Sequence, residues 1–151
     1  MDALYQLLKE YTEIYKMLLE LEYDKYEAVI KDDVITLDNI VSQEEVCYLQ
    51  MKGIEHKREK LLTPLGLSGK TLKEIIDVAE NESKIKLQEQ FEELNNTISE
   101  LNKINDLLKT VIEVRLRRLN KKINNLGEKE NTYTNDKSKN AAEGLLISHK
   151  I

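Results

Sequence analysis

Residues 84–126 read KIKLQEQFEELNNTISELNKINDLLKTVIEVRLRRLNKKINNL. In this stretch Leu87, Phe91, Leu94, Ile98, Leu101, Asn105, Leu108, Ile112, Arg115, Leu119, Lys122 and Leu126 recur at alternating spacings of three and four. That is the a/d repeat of a coiled coil, with Asn105 at an a position. Neither Gly nor Pro interrupts it. At 1.5 Å per residue the helix would be ~65 Å long. A compact globule of this chain length has a radius of gyration near ~15 Å. The expectation is an elongated molecule organised around one long helix.

The residues before it divide at their turn signals. Leu4, Leu7, Tyr11, Ile14, Leu18, Leu21 and Ala28 form the apolar stripe of a helix over 2–31, with Asp2 as its N-cap and Lys25 interrupting the row. Lys31-Asp32-Asp33 makes a short turn that places an aspartate to cap the next helix. That helix, 34–62, has a looser inward row of Leu37, Val41, Tyr48, Met51, Ile54, Leu61 and Leu62. Gly53 within it marks either a close helix approach or a weak point. Thr63-Pro64-Leu65-Gly66-Leu67-Ser68-Gly69 ends it, since Pro64 removes a donor and turns Thr63 away from helical geometry. Thr71 and Glu74 then read as a capping box for a short helix over 72–80, whose buried side is Leu72, Ile75, Ile76 and Ala79. The expected fold is all-α: an antiparallel bundle over 1–126 of three long helices and one short one, with a flexible tail over 127–151.

Composition agrees with an all-helical chain and excludes other classes. Five Gly and one Pro in 151 residues are about 4%, against roughly 12% in average proteins. An all-β sandwich needs turn residues every ~8–12 positions, whereas the stretches 1–52 and 70–126 hold neither Gly nor Pro. The apolar runs fall far short of the ~18 residues a membrane span needs. The N-terminal MDALYQLLKEYTEIYK lacks the order of a signal peptide. Cys47 is the only cysteine, so no disulfide can form within the chain, and a reducing cytoplasm fits. A net charge of −5 argues against nucleic-acid binding through phosphates. The acids concentrate in the first 83 residues and the cations in 84–126, where Arg115, Arg117, Arg118, Lys121 and Lys122 cluster. Antiparallel packing of an acidic hairpin on a basic helix would favour that division.

Catalytic and metal chemistry find no foothold. Gly66-Leu67-Ser68-Gly69-Lys70-Thr71 ends like a phosphate-binding loop, but Pro64 stands where its first glycine belongs and a helix precedes it instead of a strand. His56 and His149 are the only histidines, and neither follows a Glu at the spacing of a di-iron bundle. The acids alternate with lysines at i+3 and i+4, which describes a solvated face. No enzyme, cofactor or metal is expected. What remains is surface, because the long helix exceeds its neighbours by ~20 Å and part of its stripe must be covered by something else.

In this setting the chain resembles the FlgN-type flagellar export chaperones. The resemblance rests on LLELEYDKYEAVIKDD at 18–33, and on Leu37, Ile40, Glu44, Glu45 and Lys57-Arg58-Glu59-Lys60-Leu61-Leu62 in the second helix. It rests also on Leu101-Asn102-Lys103-Ile104-Asn105-Asp106-Leu107-Leu108, which looks like the family's Leu-Asn-x-x-Asn-x-Leu-Leu segment.

The resemblance implies a cytoplasmic chaperone. It would bind the C-terminal helical segments of hook–filament junction proteins of the FlgK/FlgL type, prevent their premature assembly and deliver them to the flagellar type III export gate. Client contacts would fall on Leu94, Ile98, Leu101, Leu108 and Ile112, with Asn102 and Asn105 setting register by hydrogen bonding. The same row could instead pack on the first two helices. The family's docking tyrosine would be Tyr133, although Asp136-Lys137-Ser138 replaces the glycine expected after it. The competing reading is a structural or adaptor coiled-coil protein, a homodimer joined through the same heptad stripe. Neither nucleic acid nor membrane insertion is expected.

Overall fold

The structure, a computed structural model, describes residues 1–127. Every element among them is helical: α1 Asp2–Ile30, α2 Val34–Leu62, a 3-10 turn Thr63–Leu65, α3 Leu72–Val78 and α4 Asn81–Gly127. The described residues divide into two compact units, 1–104 and 105–127.

Local chemistry sets the breaks. Asp32 takes a left-handed conformation (φ 55°), and Asp33 N–H returns to the Ala28 carbonyl, closing α1. Asp33 then caps α2 by accepting from Thr36 N–H at 3.1 Å and from the Thr36 hydroxyl at 2.6 Å. Those hydrogen bonds hold its carboxyl below the usual range. At the start of α1 the N-cap is Met1, so Asp2 lies inside the first turn and does not cap. It still complements the helix dipole from there. Gly66, with φ +67°, ends the 3-10 turn in the left-handed region that glycine tolerates. Thr71 and Glu74 form the expected capping box in both directions. The run Gly69-Lys70-Thr71 is therefore a turn and a cap. Asn81-Glu82-Ser83, expected as a joint, is the first turn of α4.

In the first unit α1 and α2 form an antiparallel hairpin, since Lys25 meets Glu44 while Glu10 meets Lys57. α4 runs parallel to α1: Gln90 reaches Thr12 and Glu93 reaches Lys16. Leu18, Leu62, Ile75, Ile76, Leu87 and Leu101 are the most deeply enclosed apolar side chains. Tyr15 is buried and stacks edge-on against the half-buried Tyr11 at 5.0 Å, and burial raises its phenol pKa. Cys47 is buried too, which pushes its thiol up and leaves it a small apolar filler.

Polar groups also enter this core. Lys25, read from the sequence as a gap in the stripe, is buried within it together with Glu22 and Glu44. Its ammonium lies 2.8 Å from Glu44 Oε1 and 3.4 Å from Glu22 Oε1. Burial, and then a hydrogen bond with Glu44, push the Glu22 carboxyl up to about 8 against the pull of Lys25. Between α1 and α4, Gln90 Nε2 donates to Thr12 Oγ1 at 3.0 Å, and Thr12 Oγ1 donates to the Leu8 carbonyl at 2.9 Å.

Gly53 is exposed on α2, and a Cβ added there meets nothing within 4 Å. No close approach requires it. Gly53→Ala should stabilise the chain by about 1 kcal/mol through helix propensity, read as a rise of about 3 °C in the thermal midpoint by circular dichroism.

Candidate functional site

α4 is amphipathic along its length, but its burial is not uniform. Within the first unit its enclosed side chains are Leu87, Gln90, Leu94, Thr97, Leu101 and Ile104. The partners of Leu87, Leu94 and Leu101 in the inward row are thus Gln90, Thr97 and Ile104, displaced by one residue from Phe91, Ile98 and Asn105. Those three are only half-buried. Phe91 and Ile98 line a groove of about 300 Å³ together with Tyr11, Ile54 and Leu72.

In the second unit Leu108 is buried, and no described residue after it is. The apolar stripe nevertheless continues as Ile112, Leu116, Leu119, Ile123 and Leu126, at spacings of four, three, four and three. Leu119 is 48% and Leu126 70% exposed. Arg115, Arg118 and Lys122 run along one flank of this stripe. Residues 105–127 hold six Lys and Arg against two acids.

The residues expected to meet a client therefore fall into different environments. Leu94, Leu101 and Leu108 are enclosed by the chain itself. Ile98, Asn105 and Ile112 are half-buried, and Asn102 is exposed. Asn105 Oδ1 is enclosed with no described group donating to it, a costly state for a carbonyl oxygen. Tyr133 lies outside the described residues. Leu116 and Ile123 escaped the heptad reading because the apolar line takes two successive steps of four, 108 to 112 to 116, and so changes phase, while the strict row continues onto Arg115 and Lys122.

Among the described residues no group of three or more His, Cys, Asp or Glu is gathered as a metal site requires. No described helix is long and apolar enough to cross a membrane. The arrangement presents apolar surface on a helix, which is chemistry for binding a polypeptide.

The family model described as FlgN protein matches residues 1–141. The chain belongs to the FlgN family. No curated protein and no solved structure matches it significantly. FlgN membership makes this a flagellar export chaperone that binds flagellar substrate proteins, in a family of chaperones and not of known enzymes.

Proposed function

We propose that this FlgN protein binds the C-terminal helical segments of hook–filament junction proteins of the FlgK/FlgL type in the cytoplasm. It holds them from premature assembly and hands them to the flagellar type III export gate. The observation that supports this reading is the stripe Ile112, Leu116, Leu119, Ile123, Leu126, of which Leu119 and Leu126 are exposed and the other three only half-buried. A client helix laid along it would bury apolar surface at roughly 25 cal/mol per Å². Asn105, with an oxygen lacking a donor, would mark the start of the site and favour one register of the client. Leu94, Leu101 and Leu108 are enclosed by the chain itself. Docking on the gate is assigned to Tyr133.

Calorimetric titration with a peptide from the C-terminal helical segment of a junction protein should give saturable heat at tens of micromolar peptide. A flat titration would overturn the proposal. In a separate titration with the soluble part of the export gate, Tyr133→Ala should weaken binding while leaving the peptide heat intact.

A further inference from the structure

The outer face of the α1–α2 hairpin carries a long shallow groove that the client reading does not use. It consists of two adjoining hollows of about 390 and 310 Å³, which share Leu21, Asp24 and Gln43 as lining. Apolar surface is supplied by Met17, Leu21 and Val46, with Met17 and Val46 about half exposed. The lining is acidic through Glu20, Asp24 and Glu27, and Lys31 at one end is the only cation among the described lining residues. From Met17 to Lys31 the groove follows α1 for ~21 Å. An apolar trough with an acidic border fits an amphipathic helix whose apolar stripe has a basic flank.

This chain contains such a helix. Residues 112–126 of α4 span ~21 Å, carry an apolar stripe with Leu119 and Leu126 exposed and Ile112, Leu116 and Ile123 half-buried, and flank it with Arg115, Arg118 and Lys122. Pairing two such stripes directly would bring like charges together, which disfavours a coiled coil between the two α4 ends. Pairing the stripe with the hairpin groove brings opposite charges together and covers both open apolar surfaces.

We propose that two copies of this chain associate reciprocally, the basic end of α4 from each lying in the acidic α1–α2 groove of the other. The arrangement is two-fold, so each copy contributes the same two surfaces and the assembly closes at a dimer. It uses the same α4 stripe as the client reading, so the groove of the second copy and a client helix would exclude one another there, while its test by sedimentation needs no client.

Sedimentation of the full chain over a range of concentrations tests it. The unaltered protein should form a concentration-dependent dimer that weakens as salt is raised, because the border charges are exposed. The triple variant Arg115→Glu/Arg118→Glu/Lys122→Glu and the double variant Glu20→Lys/Asp24→Lys should each weaken dimerisation by at least about tenfold. Equal mixing of the two variants should restore the dimer, because acidic stripe then meets basic groove and the untouched surfaces pair as before. Restoration also shows that both variants are folded, as matching helix content by circular dichroism would. A protein that stays monomeric at hundreds of micromolar overturns the proposal. So does a dimer indifferent to both variants, which would point to another surface, or a mixture of folded variants that stays monomeric.

Discussion

Lys25→Met should destabilise the protein by about 3–5 kcal/mol, the range for removing one partner of a buried charge pair. Lys25 is 5% exposed and the two carboxyl groups beside it belong to residues only 1% exposed, so water cannot replace the lost ammonium. Glu44 loses its cation at 2.8 Å and either stays charged in an apolar setting or takes up a proton at further cost. Urea unfolding followed by circular dichroism measures the effect as a lower midpoint with an unchanged slope. The companion change Glu22→Gln should act in the opposite direction at high pH. The Glu22 carboxyl is raised from 4.5 to about 8 in the folded chain, so between those values the folded state binds more protons than the unfolded one. Stability linked to Glu22 is therefore complete below about pH 4.5 and is lost as pH rises through about 8. Glutamine keeps a donor toward Glu44 and an acceptor toward Lys25 without titrating. Its variant should lose less stability than the parent between pH 5 and pH 8, and equal losses would show that Glu22 is not the group responsible.

Leu101→Ala and Leu119→Ala, two leucines of one heptad row on one helix, should behave differently. Leu101 is fully enclosed, and its truncation should cost about 2–5 kcal/mol through lost burial and the cavity left behind. Leu119 is 48% exposed, and its truncation should change stability by no more than about 0.5 kcal/mol. The order reverses for binding. Leu119→Ala should weaken the junction-protein peptide in calorimetry without lowering the unfolding midpoint. A large loss of stability for Leu119→Ala would place that side chain in the core and remove it from the proposed site.

Much of this molecule was legible from local chemistry. The turn at Lys31-Asp32-Asp33, the stop at Pro64-Leu65-Gly66 and the Thr71–Glu74 capping box depend on residues within five positions of one another. Such hydrogen bonds form wherever the backbone goes afterwards, so spacing and residue type suffice to find them. The long apolar repeat of α4 was legible for the same reason, and it identified a helix with more stripe than its neighbours needed.

Which residues of a stripe face inward was settled elsewhere. Lys25 looked like an interruption and Glu22 and Glu44 like parts of solvated faces, because a charged side chain is ordinarily exposed. Each is buried because a partner waits for it, and Glu44 stands 19 positions from Lys25 on another helix. Gln90 and Thr97 entered the core of the first unit in place of Phe91 and Ile98, and Gln90 does so by bonding Thr12, 78 positions away. Periodicity reports how a helix divides its own surface. It carries no record of the opposing helix, whose hydrogen-bonding groups decide whether a polar side chain at the stripe's edge can leave water. The sequence alone therefore determined the turn at Lys31-Asp32-Asp33, the stop at Pro64-Leu65-Gly66, the Thr71–Glu74 cap and the long amphipathic helix α4. Only the tertiary structure decided the rotation of each about its axis, and with it which side chains of α4 became core and which stayed in water.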